Sequence, residues 1–249
     1  MTKADNEEIN IDYDSTKEFF ENRAQKYTED YPYVTTMYQD NNPELTKIRD
    51  EYEKNMIYHM LKIQSDSKIL DIGCGVGRWT ELVYKNVLNY LGIDFSDKLL
   101  EIARTRVKTI PGKIEFQQLA AQDIENNEKL IIKGKFNRFI LSGVLLYLND
   151  KDLERCFNGI ISLSEFNSII YIREPLAKKN RLTLKKHYSD ELRTKYSAIY
   201  RTKKQYKQKI ENFFIKNKFK IVKEGFLYPE PLNNRKETTQ YYFILERVS

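Results

Sequence analysis

The chain predicts one α/β domain built on a doubly wound, mostly parallel sheet. Three observations predict it. From residue 68 onward, short apolar runs bounded by turn residues alternate with longer segments at helical period. One run, Ile69-Leu70-Asp71-Ile72, passes straight into Gly73-Cys74-Gly75-Val76-Gly77 and then a helical segment. The length of 249 residues, with 41% apolar and 31% charged residues, suits a single globular domain.

In chain order, residues 1–14 are acidic and polar and read as a loose tail. Ser15-Thr16-Lys17-Glu18 is a capping-box pattern, and Phe19, Phe20 and Ala24 then form an apolar stripe. Residues 31–42 are rich in turn formers. Asn42 reads as an N-cap with Pro43 at the first helical position. The helix after it runs to about Leu61, with Ile48, Tyr52, Met56, His59 and Met60 on the core-facing stripe. Strands follow at 68–72, 90–94, 113–119, 136–142, 168–173, 220–227 and 240–246. Helices are expected at 77–85, 96–107, 151–163 and 203–216. The stretch 174–202 breaks this rhythm and is too long for a plain connection, so it should carry a lid or substrate wall. The expected layout is a helical cap at 15–63, a ligand-binding core at 64–173, a lid at 174–202, and a last helix and two strands at 203–249.

Composition narrows the function. No apolar run approaches the roughly 18 residues of a membrane span. The acidic start resembles neither a secretory signal nor a transit peptide, and two cysteines cannot staple a chain of this size, so a reduced cytoplasm is the expected setting. Two histidines and two distant cysteines argue against a structural metal. The net charge of +6 is uneven: residues 173–223 hold 17 Lys+Arg and 4 Asp+Glu, a net of +13, which leaves −7 elsewhere.

The glycine cluster carries the chemistry. A backbone that turns tightly against a ligand needs glycine, here Gly73, Gly75 and Gly77. Asp94, 21 residues past Gly73 at the end of the next strand, can accept hydrogen bonds from both hydroxyls of a ribose. A dinucleotide would want the third glycine one residue later, and no Gly-Lys-Ser/Thr follows to make a phosphate-binding P-loop.

Leu70-Asp71-Ile72-Gly73-Cys74-Gly75-Val76-Gly77-Arg78 resembles motif I of the class I S-adenosylmethionine-dependent methyltransferases. The resemblance covers residues 51–163 in motif order. It implies a Rossmann-like seven-stranded sheet with the last strand antiparallel, S-adenosylmethionine as cofactor and S-adenosylhomocysteine as product. Asp94, followed by Phe95 and Ser96, maps onto the ribose-holding acid. Gln122-Asp123-Ile124 maps onto the adenine contact, and Leu141 and Ser142 onto the strand end beside the cofactor. The early acid of that strand is replaced by Asn137. Cys74 counts with the loop as a packed residue and not as a nucleophile.

The stretch from Phe19 to Lys54 resembles the cap of small bacterial methyltransferases of surface-carbohydrate modification. Tyr38 and Arg49 are then candidates for the cofactor's methionine end, and Tyr33 for substrate. Beyond the fifth strand, basic, aromatic and hydroxyl residues interleave, which suits a polar acceptor with phosphate groups. Tyr147, Arg173, Arg181, Tyr196, Tyr200 and Arg201 are the candidate acceptor contacts. His187 is the candidate general base and Glu174 the second. No Asn-Pro-Pro-Tyr-like element or Pro-Cys nucleophile is present, which argues against base methylation.

The expected activity is methylation, on oxygen, of a small phosphorylated or nucleotide-linked carbohydrate intermediate of surface polysaccharide synthesis, with O-methyl phosphoramidate formation included. Amino-sugar N-methylation, RNA methylation, and a non-catalytic partner subunit are the alternatives. The expected partner is a small phosphorylated or nucleotide-linked molecule, with no membrane and with nucleic acid disfavoured, and the chain is expected to be a monomer or homodimer.

Overall fold

The computed structural model describes residues 2–5, 10–107, 110–125 and 127–248, with side chains from residue 10 onward. Seven strands form the central sheet: β2 (Lys68–Ile72), β3 (Asn89–Asp94), β4 (Ile114–Gln118), β5 (Phe136–Ser142), β6 (Ser164–Ala177), β9 (Phe219–Phe226) and β10 (Thr238–Arg247). Their order is β4-β3-β2-β5-β6-β10-β9, and β10 alone runs antiparallel to its neighbours β6 and β9. Alternation within each strand sends residues to opposite faces. Leu70, Ile72, Phe139 and Leu141 pack on one face, where α7 (Asp150–Leu163) and α8 (Lys203–Phe213) contribute Phe157, Ile160, Tyr206 and Ile210. Ile69, Ile140 and Tyr171 pack on the other, against Ile57 of α3 (Pro43–Ile57) and Trp79 beside α4 (Thr80–Val83).

Several helix starts follow the local capping rules. Asn42 accepts the Leu45 N–H ahead of Pro43, Ser96 accepts the Leu99 N–H at the start of α5 (Asp97–Arg106), and Thr202 and Gln205 form a reciprocal capping box on α8. The short α6 (Glu128–Lys133), capped by Asn127, was not foreseen; six residues carry too little period to read.

The ends of the chain's first quarter depart from expectation. The tail reading fails at both sides: residues 2–5 form β1, and α1 (Tyr13–Ala24) starts ahead of the Ser15 capping box, with Asp12 as its cap. Residues 6–9 of that tail lie outside the described residues. Strand β1 pairs antiparallel with β7 (Leu182–Ser189), which pairs with β8 (Thr194–Tyr200), so the lid is a three-stranded sheet. The strand expected at 168–173 continues to Ala177 because β10 pairs with it throughout, from Ile169 to Ala177.

Helix α3 buries a different face from the apolar stripe. Ile48 and His59 are exposed and Tyr52, Met56 and Met60 half-buried, while Leu45, Thr46, Arg49, Asp50, Glu53 and Ile57 are buried. Three charges on the inward face are tolerable only because partners elsewhere in the chain satisfy them. The lysines of α8 lie outward, with Lys203 and Lys207 beside Glu224 and Lys209 beside Glu154. Among the described residues no helix is long and apolar enough to cross a membrane, and no group of three or more His, Cys, Asp or Glu could hold a metal ion.

Candidate active site

The sheet order reverses between β2 and β5, and open α/β sheets bind ligands beyond the strand ends at such a point. Gly73 follows β2 there and Gly143 follows β5. Gly73 sits at φ +69°, and a Cβ on it would overlap Val144. The loop is then tied down by its neighbours. The N–H groups of Gly73 and Cys74 donate to the Ile93 carbonyl, and that of Gly75 donates to Asp94 Oδ2 at 2.9 Å. Asp94 Oδ1 accepts the Ser96 N–H at 2.9 Å. Burial pushes the Asp94 carboxyl up to about 6, against the pull of those two N–H donors. A carboxylate has about four lone-pair positions, so two remain for a ligand.

A cleft of about 430 Å³ opens here, lined among others by Tyr38, Gly73, Gly75, Asp94, Phe95, Gln122, Asp123 and Ser142. Eight sequence candidates are thus brought together. Six others stand elsewhere. Cys74 is packed beneath the loop against Gly92, Gly77 abuts Ala103 of α5, and Ile124 abuts Gly159 of α7. Leu141 is core, Ser96 serves as the cap of α5, and Arg49 donates to the Leu232 carbonyl and, at 2.8 Å, to Asn234. Asn137 keeps a local polar role by accepting the Lys68 N–H at 2.9 Å. The sequence reading missed Tyr13, Asp14, Thr16, Lys17 and Phe20 of α1, which wall the same cleft. Phe20 was visible as part of an apolar stripe, and Thr16 and Lys17 as part of a capping-box pattern, but what they face was not.

A second cavity of about 240 Å³ lies behind the first, under the lid. Of the acceptor candidates, Tyr147, Arg173, Tyr196 and Tyr200 line it, and Arg49 joins them from the cofactor set. Tyr228, Arg235 and Lys236 also line it and were not foreseen. Three candidates are structural instead. Arg181 and Arg201 both grip Asp150, at 2.7 and 2.8 Å, and Arg201 also donates to the carbonyls of Leu145 and Leu148. Tyr33 donates to Glu81 at 2.6 Å and packs under Lys54 and Arg106, which removes it from both clefts.

Among the described residues, four line both clefts: Thr36, Tyr38, Gly143 and Tyr147. The Tyr147 hydroxyl donates to that of Tyr38 at 2.6 Å across this partition. Tyr38 holds a left-handed backbone at φ 53°, a conformation costly for a bulky residue, and its carbonyl accepts from Arg235. Burial pushes both phenols well above their ordinary range.

Neither proposed base reaches the partition. His187 sits half-buried on β7 opposite Tyr196 and lines neither cleft. Glu174 is fully buried and accepts the N–H groups of Val144, Leu145 and Leu146 at 2.9, 2.8 and 3.1 Å. Burial raises its carboxyl to about 7 against those donors. It anchors the loop that carries Gly143 and Tyr147.

Beneath the partition, Glu53 collects five donors with no exposure of its own. It accepts from Arg78 at 3.0 Å, Ser142 at 3.1 Å, Tyr171 at 2.7 Å, Arg173 at 3.3 Å and Tyr228 at 3.4 Å. Burial pushes the Glu53 carboxyl up, but the Arg173 and Arg78 guanidiniums outweigh it and hold the group well below the usual carboxylate range. Arg78 is therefore an internal strut, bonded also to Asp50 at 2.7 Å. Ser142 faces the first cleft and Arg173 and Tyr228 the second, so one carboxylate supports both.

Gly143 shows how tight the partition is. A Cβ on it would lie 3.1 Å from Arg173 Nη1, and its φ is +79°. The variant Gly143→Ala is expected to lose about 1–2 kcal/mol of stability through the left-handed backbone and to raise the acceptor KM by displacing Arg173. Thermal denaturation and initial rates check the two effects separately.

Comparison with known proteins agrees with this geometry. A family model described as a methyltransferase domain matches residues 69–164. Phosphoethanolamine N-methyltransferase 1 of Arabidopsis thaliana is 21% identical over 125 residues, which cover 50% of this chain and 25% of that protein. The ubiquinone biosynthesis O-methyltransferase of Pelagibacter ubique is 32% identical over 111 residues, covering 42% of this chain and 44% of that protein. The match thus spans from a quarter to under a half of those relatives' lengths. Among solved structures, Haemonchus contortus phosphoethanolamine N-methyltransferase 1, in complex with phosphoethanolamine and S-adenosylhomocysteine, superposes with a TM-score of 0.68 at 16% identity. The superposition covers 96% of this chain and 50% of that one. Residues 69–164 thus match a methyltransferase domain, and the sheet has the Rossmann-like fold of solved methyltransferases. The Haemonchus structure holds S-adenosylhomocysteine. The first cleft fits it: glycines that let a ligand lie on the backbone, a carboxylate with lone pairs spare for hydroxyl donors, and Phe95 on the wall.

Proposed function

We infer that this S-adenosylmethionine-dependent methyltransferase methylates a small acceptor that carries a phosphate-like anion. The observation that carries the reading is the second cavity. It meets the cofactor cleft at Tyr38, Gly143 and Tyr147 and is walled by Arg49, Arg173, Arg235 and Lys236 against Glu191 and Glu237. Guanidinium forks match the oxygens of a phosphate, and the tyrosines add rings and hydroxyls for the rest of the molecule. The phosphoethanolamine enzymes are named for a phosphorylated acceptor, which supports the class.

A carbohydrate intermediate of surface polysaccharide synthesis remains the finer reading, methylated on oxygen. It rests on the resemblance of the cap and the interleaved lid; an amino sugar is the alternative. RNA is a weaker reading, because the cavity of about 240 Å³ lies under a lid and the lysines of α8 stand beside glutamates. The setting proposed for the protein is the cytoplasm.

When bound, the cofactor supplies an electrophilic methyl group. The chain's part is to hold the acceptor in line with it and to exclude water. Glu174 fixes the loop of Gly143 and Tyr147, Glu53 fixes Arg173 and Ser142, and the phenol pair closes the partition. The test is a mass-spectrometric screen of sugar phosphates, nucleotide-linked sugars and phosphorylated amines. A phosphorylated acceptor should gain one methyl group, and His187→Ala should leave turnover unchanged. Transfer confined to uncharged phenols or to RNA would refute the reading.

A further inference from the structure

The reading above favours oxygen but leaves open which oxygen of the acceptor takes the methyl group. We propose that it is an anionic phosphoryl oxygen, so that the product is a methyl ester of a phosphate or phosphonate. The inference rests on the proposed anion-bearing acceptor and on three features of the partition.

The first is the place of Arg173. Its Nη1 lies against Gly143, one of the four residues common to both clefts. The strand pairing sets this: Ser142 on β5 stands opposite Arg173 on β6, and the Gly143 N–H donates to the Arg173 carbonyl at 2.7 Å. An anion on this guanidinium therefore lies at the reacting end of the cavity and not at its far wall.

The second is that Arg173 keeps donors to spare. Among the described residues, Nη2 is held by Glu53, Nη1 has only a 3.4 Å contact with Gln240, and the buried Nε has no protein partner. A buried donor without a partner is costly unless a ligand satisfies it.

The third is the chemistry of the four shared residues. None carries a carboxylate or an imidazole. The two phenols are pushed up and cannot take a proton near neutral pH, and Glu174 is occupied by three N–H groups. An alcohol acceptor must lose a proton during transfer, and an ammonium must lose one before it. A cation at Gly143 also repels an ammonium. A phosphoryl oxygen is already anionic.

The step then balances without a proton. The phosphoryl oxygen forms a bond to the methyl carbon while the carbon–sulfur bond breaks and its electron pair stays on sulfur. One negative charge on the acceptor and the positive charge on sulfur disappear together.

The experiment uses O-phosphoserine, glucose 1-phosphate and phenylphosphonate as acceptors, with products read by phosphorus-coupled proton NMR. A methyl signal split by phosphorus supports the proposal. A methyl group on nitrogen, carbon-bound hydroxyl or carboxylate overturns it while sparing the anion-binding reading. No transfer to any of the three overturns both. The pH profile is a second readout. The rate should rise with the second phosphate ionisation near about 6 and then stay flat, whereas continued rise to alkaline pH would mark an amine or alcohol. Calorimetry with inorganic phosphate on the S-adenosylhomocysteine complex gives a readout free of turnover. Arg173→Gln should weaken phosphate at least about tenfold, the loss of one charge-assisted contact. Should that variant fail to fold, the product's structure and the wild-type pH profile decide alone.

Discussion

Replacing Glu53 by alanine is expected to destabilise the protein by about 3–5 kcal/mol, the cost of leaving buried charges without their partner. The stranded groups are Arg78 and Arg173, both buried, together with the hydroxyls of Ser142, Tyr171 and Tyr228. For a chain of this length the melting temperature should fall by roughly 10 °C. Glu53→Gln keeps the volume and one acceptor oxygen, and should fall between alanine and wild type. The sign with pH follows from the lowered carboxyl. Its contribution is present above the unfolded value of about 4.3 and is lost only as acid protonates it. Wild type should therefore approach the glutamine variant in stability at low pH. Equal stabilities of the two at pH 7 would show that the guanidiniums do not need this carboxylate.

Asp94→Ala is expected to weaken S-adenosylhomocysteine by about two orders of magnitude, measured by calorimetry. Two charge-assisted ribose contacts are lost, each worth about 1.5–3 kcal/mol before relaxation, and the Gly75 N–H loses its acceptor. The pH dependence is the sharper test. The ionised carboxylate is the better acceptor, and burial sets its ionisation near about 6 in the free protein. Affinity should rise as pH increases from 5 to 7, and Asp94→Asn should abolish the slope. In the unliganded protein the sign for stability is opposite. Asp94 binds its proton more tightly folded than unfolded, so its contribution is present below about 3.9 and fades as pH rises through about 6. An unchanged affinity in Asp94→Ala would remove this residue from the cofactor site.

Much of the cofactor side was legible from local signals. A short apolar strand running into glycines and a carboxylate at the next strand's end each depend on a few adjacent residues. The acceptor side was not. Arg173, Tyr196, Tyr200 and Tyr147 were visible as residue types, but the same reasoning also chose Arg181, Arg201 and His187 from the same basic stretch. Nothing local says that Asp150, at the start of α7, gathers Arg181 and Arg201.

The chain by itself therefore determined the seven strands of the central sheet and their main helices, the glycine loop, the place of Asp94 at a strand end and the Asn42 cap, because period and capping act between neighbours. Only the tertiary structure decided which face of α3 turns inward, that β1 closes the lid sheet, and that Glu53 joins Ser142 to Arg173. Those pairings span 89 and 120 residues. Hydropathy reads each such charge as exposed, since its burial is acceptable only once the distant partner is in place.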